Sequence, residues 1–145
     1  MSKALVVYVG RKGSTQKIAE LIAEGLRMSG VETEVKDIAF IRKEEDLQGY
    51  DALAFGSATY HGEMMQPMKT MLFLSEKAGL EGKVGGAFGA FGWSGEAPDR
   101  IFNTMLHILN MKMVSGPLRL KNAALTGGVP MAQDYGRELA KKLAE

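Results

Sequence analysis

The chain has 145 residues, 46% hydrophobic and 24% charged, a length that fits one domain burying about two thirds of its unfolded surface and excludes a large multidomain assembly. The lack of cysteine excludes a disulfide scaffold, a thiol nucleophile and a Cys-ligated zinc or iron–sulfur site, and the presence of only two histidines argues against a histidine-rich metal site. Eighteen basic and seventeen acidic residues give a net charge of +1, so no bulk electrostatic case exists for nucleic acid.

Ala4 to Val9 is a short, β-branched-rich apolar run ended by glycine, the pattern of a buried strand. From Ser14 the period changes. Ile18, Leu21, Ile22 and Leu26 mark one face of a helix expected to stop at Gly30. Val31, Thr33 and Val35 alternate with charged neighbours as a second strand, and the polar stretch from Arg42 to Gly49 reads as a turn or short helix. Asp51 to Gly56 is the third strand. Pro67 opens the next helix, with Met68, Met71, Leu72 and Ser75 on one face. Lys83 to Phe88 is a glycine-rich fourth strand. Pro98 opens a helix carrying Ile101, Met105, Ile108 and Leu109. Val114 to Leu120 is a fifth strand interrupted by Gly116 and Pro117, and the last helix carries Tyr135, Leu139, Ala140 and Leu143.

Alternating strands and helices, with short buried strand runs, predict an α/β fold: a parallel sheet with helices on both faces, in one doubly wound domain spanning 1–145. No stretch approaches the roughly 20 apolar residues of a membrane span. The amino-terminal apolar run meets Arg11 and Lys12 too soon for a signal peptide. A cytoplasmic protein is expected, with no nucleic-acid or membrane partner.

Ligands of such sheets bind beyond the carboxyl ends of the strands. Three small-residue or aromatic loops occupy those ends: Gly10-Arg11-Lys12-Gly13-Ser14-Thr15, Ser57 to Met64, and Gly89 to Gly95. In the first, free helix N–H groups, two hydroxyls and the charges of Arg11, Lys12 and Lys17 suit a phosphate, and the first helical turn has no acid. Ser14 or Thr15 acting only as a helix cap is the plain alternative. The loop is neither a Walker A motif nor a dinucleotide fingerprint. Gly10 and Ser57 stand where a phospho-receiver domain would need carboxylates. In the other two loops, Ser57-Ala58-Thr59-Tyr60-His61-Gly62 and Phe91-Gly92-Trp93-Ser94-Gly95, the large aromatics Tyr60 and Trp93 can enclose a planar heterocycle. Packing over the sheet end is the alternative for Phe91 and Trp93. Met64 and Met65 lie at the loop rim, and His107 in a helical segment reads as structural or surface.

These residues carry a resemblance. Gly56-Ser57-Ala58-Thr59-Tyr60, Ala87-Phe88-Gly89-Ala90-Phe91-Gly92-Trp93-Ser94-Gly95 and Gly116-Pro117-Leu118-Arg119 resemble the short-chain flavodoxins. More narrowly, the chain resembles the flavodoxin-like domain of flavo-diiron oxygen or nitric-oxide reductases. The first loop matches the family's Ser/Thr-x-Thr-Gly-x-Thr pattern only at Gly13 and Thr15; Gly10 and Lys12 replace the two earlier hydroxyl residues.

The resemblance implies a three-layer flavodoxin-like fold, a five-stranded sheet in order 2-1-3-4-5, and non-covalent FMN. Gly13, Ser14 and Thr15 would contact the phosphate. Thr59, Tyr60, His61 and Gly62 would lie along the flavin ring, with Phe91, Gly92, Trp93 and Gly95 as its other wall. The backbone around His61-Gly62 would face flavin N5. No metal and no catalytic acid, base or nucleophile is expected. The implied function is single-electron relay between a reductase and an acceptor protein. A small FMN-dependent NAD(P)H or quinone reductase, and an interaction domain that has lost flavin, are the alternatives.

Overall fold

The computed structural model describes residues 2–10, 13–60, 63–90, 96–121 and 127–145. In chain order the elements are β1 (Lys3–Val9), α1 (Ser14–Met28), β2 (Glu32–Asp37), 3-10 turns at Ile38–Phe40 and Glu44–Leu47, β3 (Ala52–Ser57), β4 (Thr59–Tyr60), β5 (Glu63–Met64), α2 (Gln66–Ser75), β6 (Val84–Ala90), α3 (Glu96–His107), β7 (Lys112–Met113), β8 (Leu118–Leu120) and α4 (Gly128–Leu143).

The main sheet is parallel, ordered β2-β1-β3-β6, with β7 and β8 both pairing with β6. Counting β7 and β8 as one interrupted strand, this is the expected 2-1-3-4-5 order. Alternation along the central strands divides the core. Leu5, Val7, Leu53 and Phe55 face Met68, Met71 and Leu72 of α2 and Ile101 and Met105 of α3. Ala4, Val6, Ala52, Ala54 and Phe88 face Ile18, Ile22 and Leu26 of α1 and Tyr135 and Leu139 of α4. Removing each large apolar side chain from water contributes about 1.5–3 kcal/mol, so the two faces together set the register. Helix α1 ends where Gly30, at φ 87°, donates its N–H to the Arg27 carbonyl.

The fifth strand position shows what Gly116 and Pro117 do. Val84 and Gly85 pair with Lys112 and Met113, whereas Phe88, Gly89 and Ala90 pair with Leu118, Arg119 and Leu120. Residues 114–117 therefore lie opposite 86–87, and the two extra residues leave a gap in the ladder. Tyr135 of α4 fills it: its hydroxyl accepts from the Ala87 N–H (3.0 Å) and donates to the Gly116 carbonyl (2.7 Å). Because the excess is even, Leu118 and Leu120 stay on the buried face.

Two expectations needed adjustment. Helix α3 stops at His107, so Ile108 is exposed rather than on the core face; Ile108 and Leu109 both donate to the Thr104 carbonyl, and Asn110 takes a left-handed conformation (φ 55°) that turns the chain into β7. Pro98 is the third residue of that helix, in its first turn, where its missing N–H is no loss. Among the described residues no helix is long and apolar enough to cross a membrane.

Candidate cofactor site at the carboxyl edge of the sheet

The parallel register brings the carboxyl ends of β1, β3 and β6 to one edge: Val9 stands opposite Ser57, and Gly56 opposite Phe88. The loops after β1 and β3 join there, since Ala58 donates its N–H to the Val9 carbonyl (3.1 Å).

In the first loop, Gly13 caps α1 in the left-handed region (φ 82°), which favours glycine. Among the described residues no side chain accepts the cap's N–H bonds, and the first turn has no acid. The capping alternative for Ser14 and Thr15 therefore does not hold; the residue at the cap has no side chain to do it. Thr15 is buried, at 2% exposure, and packs beneath Gly10: a Cβ at residue 10 would lie 3.0 Å from the Thr15 hydroxyl oxygen. The glycine that departs from the flavodoxin pattern thus makes room for the threonine that keeps it. N–H donors that no described side chain caps, two hydroxyls and a first turn without a carboxylate fit an incoming phosphate.

In the second loop, Ser57 is fully buried. Its hydroxyl donates to the Ala58 carbonyl (2.9 Å) and accepts the N–H of Met65, eight positions further along (3.0 Å), closing the neck of the loop between them. Within it, β4 and β5 form an antiparallel hairpin, Thr59 opposite Met64 and Tyr60 opposite Glu63. The Thr59 hydroxyl accepts the Ala97 N–H (3.1 Å), one of the first-turn donors of α3. Met64 is buried and Met65 packs against the same core cluster, so both rim methionines turn inward.

Sequence patterning missed Glu63. Its carboxylate lies 3.6 Å from Lys69 of α2 and 3.4 Å from Arg100 of α3, and accepts the Met64 N–H. Strands of two residues have no readable period, and the partners come from two other elements. Beside the first loop, the Tyr8 phenol is shifted upward by burial and then by the nearby Asp37 and Glu20 carboxylates.

Of the sequence-assigned residues, Gly10, Gly13, Ser14, Thr15, Ser57, Ala58 and Thr59, with the backbone of Tyr60, lie at this edge. Arg11, Lys12, His61, Gly62, Phe91, Gly92, Trp93, Ser94 and Gly95 lie outside the described residues. Among the described residues no group of three His, Asp or Glu side chains could hold a metal ion.

A family model described as a flavodoxin domain matches residues 5–89. The chain belongs to the flavodoxin family. A flavodoxin from the domain Archaea superimposes with a TM-score of 0.92 at 30% identity, covering 99% of both chains. The flavodiiron protein of Giardia intestinalis superimposes with a TM-score of 0.88 at 25% identity, over 99% of this chain and 36% of that one. Type A flavoprotein fprA of Rhodobacter capsulatus is 32% identical over 96% of this flavodoxin-family chain, which spans only about a third (33%) of that relative. NAD(P)H dehydrogenase (quinone) of Bradyrhizobium diazoefficiens is 31% identical, over 90% of this chain and 80% of its own length.

Proposed function

We propose that residues 1–145 form one flavodoxin-like domain that binds FMN and carries single electrons between a reductase and an acceptor protein, in the cytoplasm. The observation that carries this is the uncapped start of α1 at Gly13, with Thr15 buried beneath it and the β3 loop bonded alongside. FMN, when bound, supplies reversible one-electron redox chemistry; the chain's part is to hold and enclose it.

Gly13, Ser14 and Thr15 would hold the phosphate through backbone N–H and hydroxyl donors, with Arg11 and Lys12 adding charge. Ser57 fixes the neck of the second loop, which sets where Thr59 and Tyr60 run along the ring. His61 and Gly62 would face flavin N5. Phe91, Gly92, Trp93, Ser94 and Gly95 would close the other side and exclude water. No described residue is asked to transfer a proton or to attack a substrate.

The likeness to an NAD(P)H dehydrogenase (quinone) keeps one second reading in play. The two separate cleanly. A carrier loaded with FMN is not reduced by NAD(P)H at a useful rate until a flavoprotein reductase is added. Rapid quinone-dependent oxidation of NAD(P)H by the chain alone would establish the enzyme reading and overturn the carrier.

A further inference from the structure

The β4–β5 hairpin has two residue pairs, far too few to be stable by itself. Its position depends on what ties it to the rest of the chain. The neck is one tie, Met65 N–H to the Ser57 hydroxyl. One strand is held by the bond from the Ala97 N–H to the Thr59 hydroxyl. The other strand is held by Met64, which is buried in the core, and by Glu63, whose two carboxylate oxygens split between helices: Oε1 faces Arg100 Nε at 3.4 Å and Oε2 faces Lys69 Nζ at 3.6 Å. Ala97 and Arg100 are three residues apart, on one side of α3. That side of α3 grips both hairpin strands, and Lys69 closes on the second from α2.

We propose that Glu63 is a positioning residue of the flavin site, clamping the hairpin between α2 and α3 so that Tyr60, its cross-strand partner, is fixed for the ring. The inference rests on the flavin reading above. A single exposed ion pair is worth little. Here one carboxylate, 30% exposed, serves two cations from separate helices, and the element it secures has almost no stability of its own. A small coupling is enough to decide whether such an element stays in place.

A carboxylate near a flavin also acts on it directly through space, so the test must separate position from charge. Glu63→Gln removes a negative charge; the double variant Lys69→Gln/Arg100→Gln removes two positive ones. Both break the clamp. A positioning role makes them alike: each weakens FMN binding several-fold, moves the first midpoint potential in the same direction, and speeds amide exchange at Met65 and Ala97 in the FMN-free chain. Wild-type protein in high salt shifts partway toward the variants, because exposed pairs are screened. Opposite potential shifts with unchanged exchange would mean that Glu63 acts only by its charge. Unchanged affinity, potential and exchange would mean that it does nothing for the site. Either result overturns the proposal. Failure of the wild-type chain to take up FMN would instead sink the flavin reading, while the exchange comparison still decides whether the clamp exists.

Discussion

Thr59 accepts a hydrogen bond at 3.1 Å from the amide of Ala97, 38 residues further along the chain. The bond joins the loop after β3 to the first turn of α3, the helix that follows the third candidate loop. The start of β4 is therefore tied directly to α3. Thr59→Val should leave one first-turn donor of α3 unmet and cost about 1 kcal/mol, the ordinary value of a lost helix-end bond. Thr59→Ser should restore it. Urea denaturation of the three proteins checks this; equal midpoints would show that the bond contributes nothing.

Tyr135 should matter more than an ordinary buried tyrosine, because its hydroxyl replaces the ladder bonds that the fifth strand lacks. Tyr135→Phe leaves the Ala87 N–H without its acceptor inside the sheet, at a cost of about 1–3 kcal/mol.

The same phenol gives a pH dependence. Burial, helped by the Glu138 carboxylate, raises its pKa above the ordinary value of 10.0, against the opposing effect of the Ala87 N–H. The unfolded chain gives up this proton as pH rises through about 10 while the folded chain keeps it. The stability is thus present below pH 10 and lost above it, by up to about 1.4 kcal/mol per pH unit for one such group. Tyr50, whose phenol is raised by burial and by the Glu34 carboxylate it bonds, adds in the same direction. Tyr135→Phe should flatten the alkaline slope without removing it. An unchanged slope would show that Tyr135 ionises normally in the folded protein.

Helices α1 and α4 cross backbone to backbone at Gly25 and Gly136. A Cβ at Gly25 would lie 2.0 Å from the Gln133 carbonyl oxygen, and one at Gly136 2.1 Å from that of Ile22. Alanine normally gains about 1 kcal/mol over glycine inside a helix. At these two positions it should instead destabilise by roughly 1–3 kcal/mol, because the helices must move apart. Gly116→Ala, with nothing within 4 Å of the new methyl, is the neutral control. Thermal or urea unfolding of the three variants tests the contrast.

The net charge of +1, with Arg11 and Lys12 assigned beside the phosphate, has a redox consequence. Adding electrons to bound FMN builds negative charge, which nearby cations favour and a strongly acidic surface opposes. The second reduction potential should be less negative than in a strongly acidic flavodoxin. An anaerobic dye-equilibrated titration measures it, and a potential equally low would contradict the electrostatic account.

The layered fold was legible because the apolar period switches cleanly. Ile18, Ile22 and Leu26 could only line a helix face, and Ala4 to Val9 only a buried strand. The break in the fifth strand was legible from Gly116 and Pro117, but its repair by Tyr135 was not, since that contact joins residues 19 apart through a side chain. The end of α3 at His107 was overrun because Ile108 continues the apolar period; Asn110, at φ 55°, ends it through backbone geometry. At the carboxyl edge, the positions of Gly13 to Thr15 and Ser57 to Thr59 were legible from their place after strands. Glu63 was not, because its role lies in partners on α2 and α3 that no local spacing reveals.

The most direct test of the central claim is a titration of the FMN-free chain with FMN and, separately, with riboflavin, followed by quenching of flavin fluorescence. One FMN per chain should bind, and at least about tenfold more tightly than riboflavin, since even one charge-assisted bond to the phosphate is worth that much. Failure to take up either flavin would contradict the account; equal affinity for both would show that Gly13, Ser14 and Thr15 do not hold a phosphate.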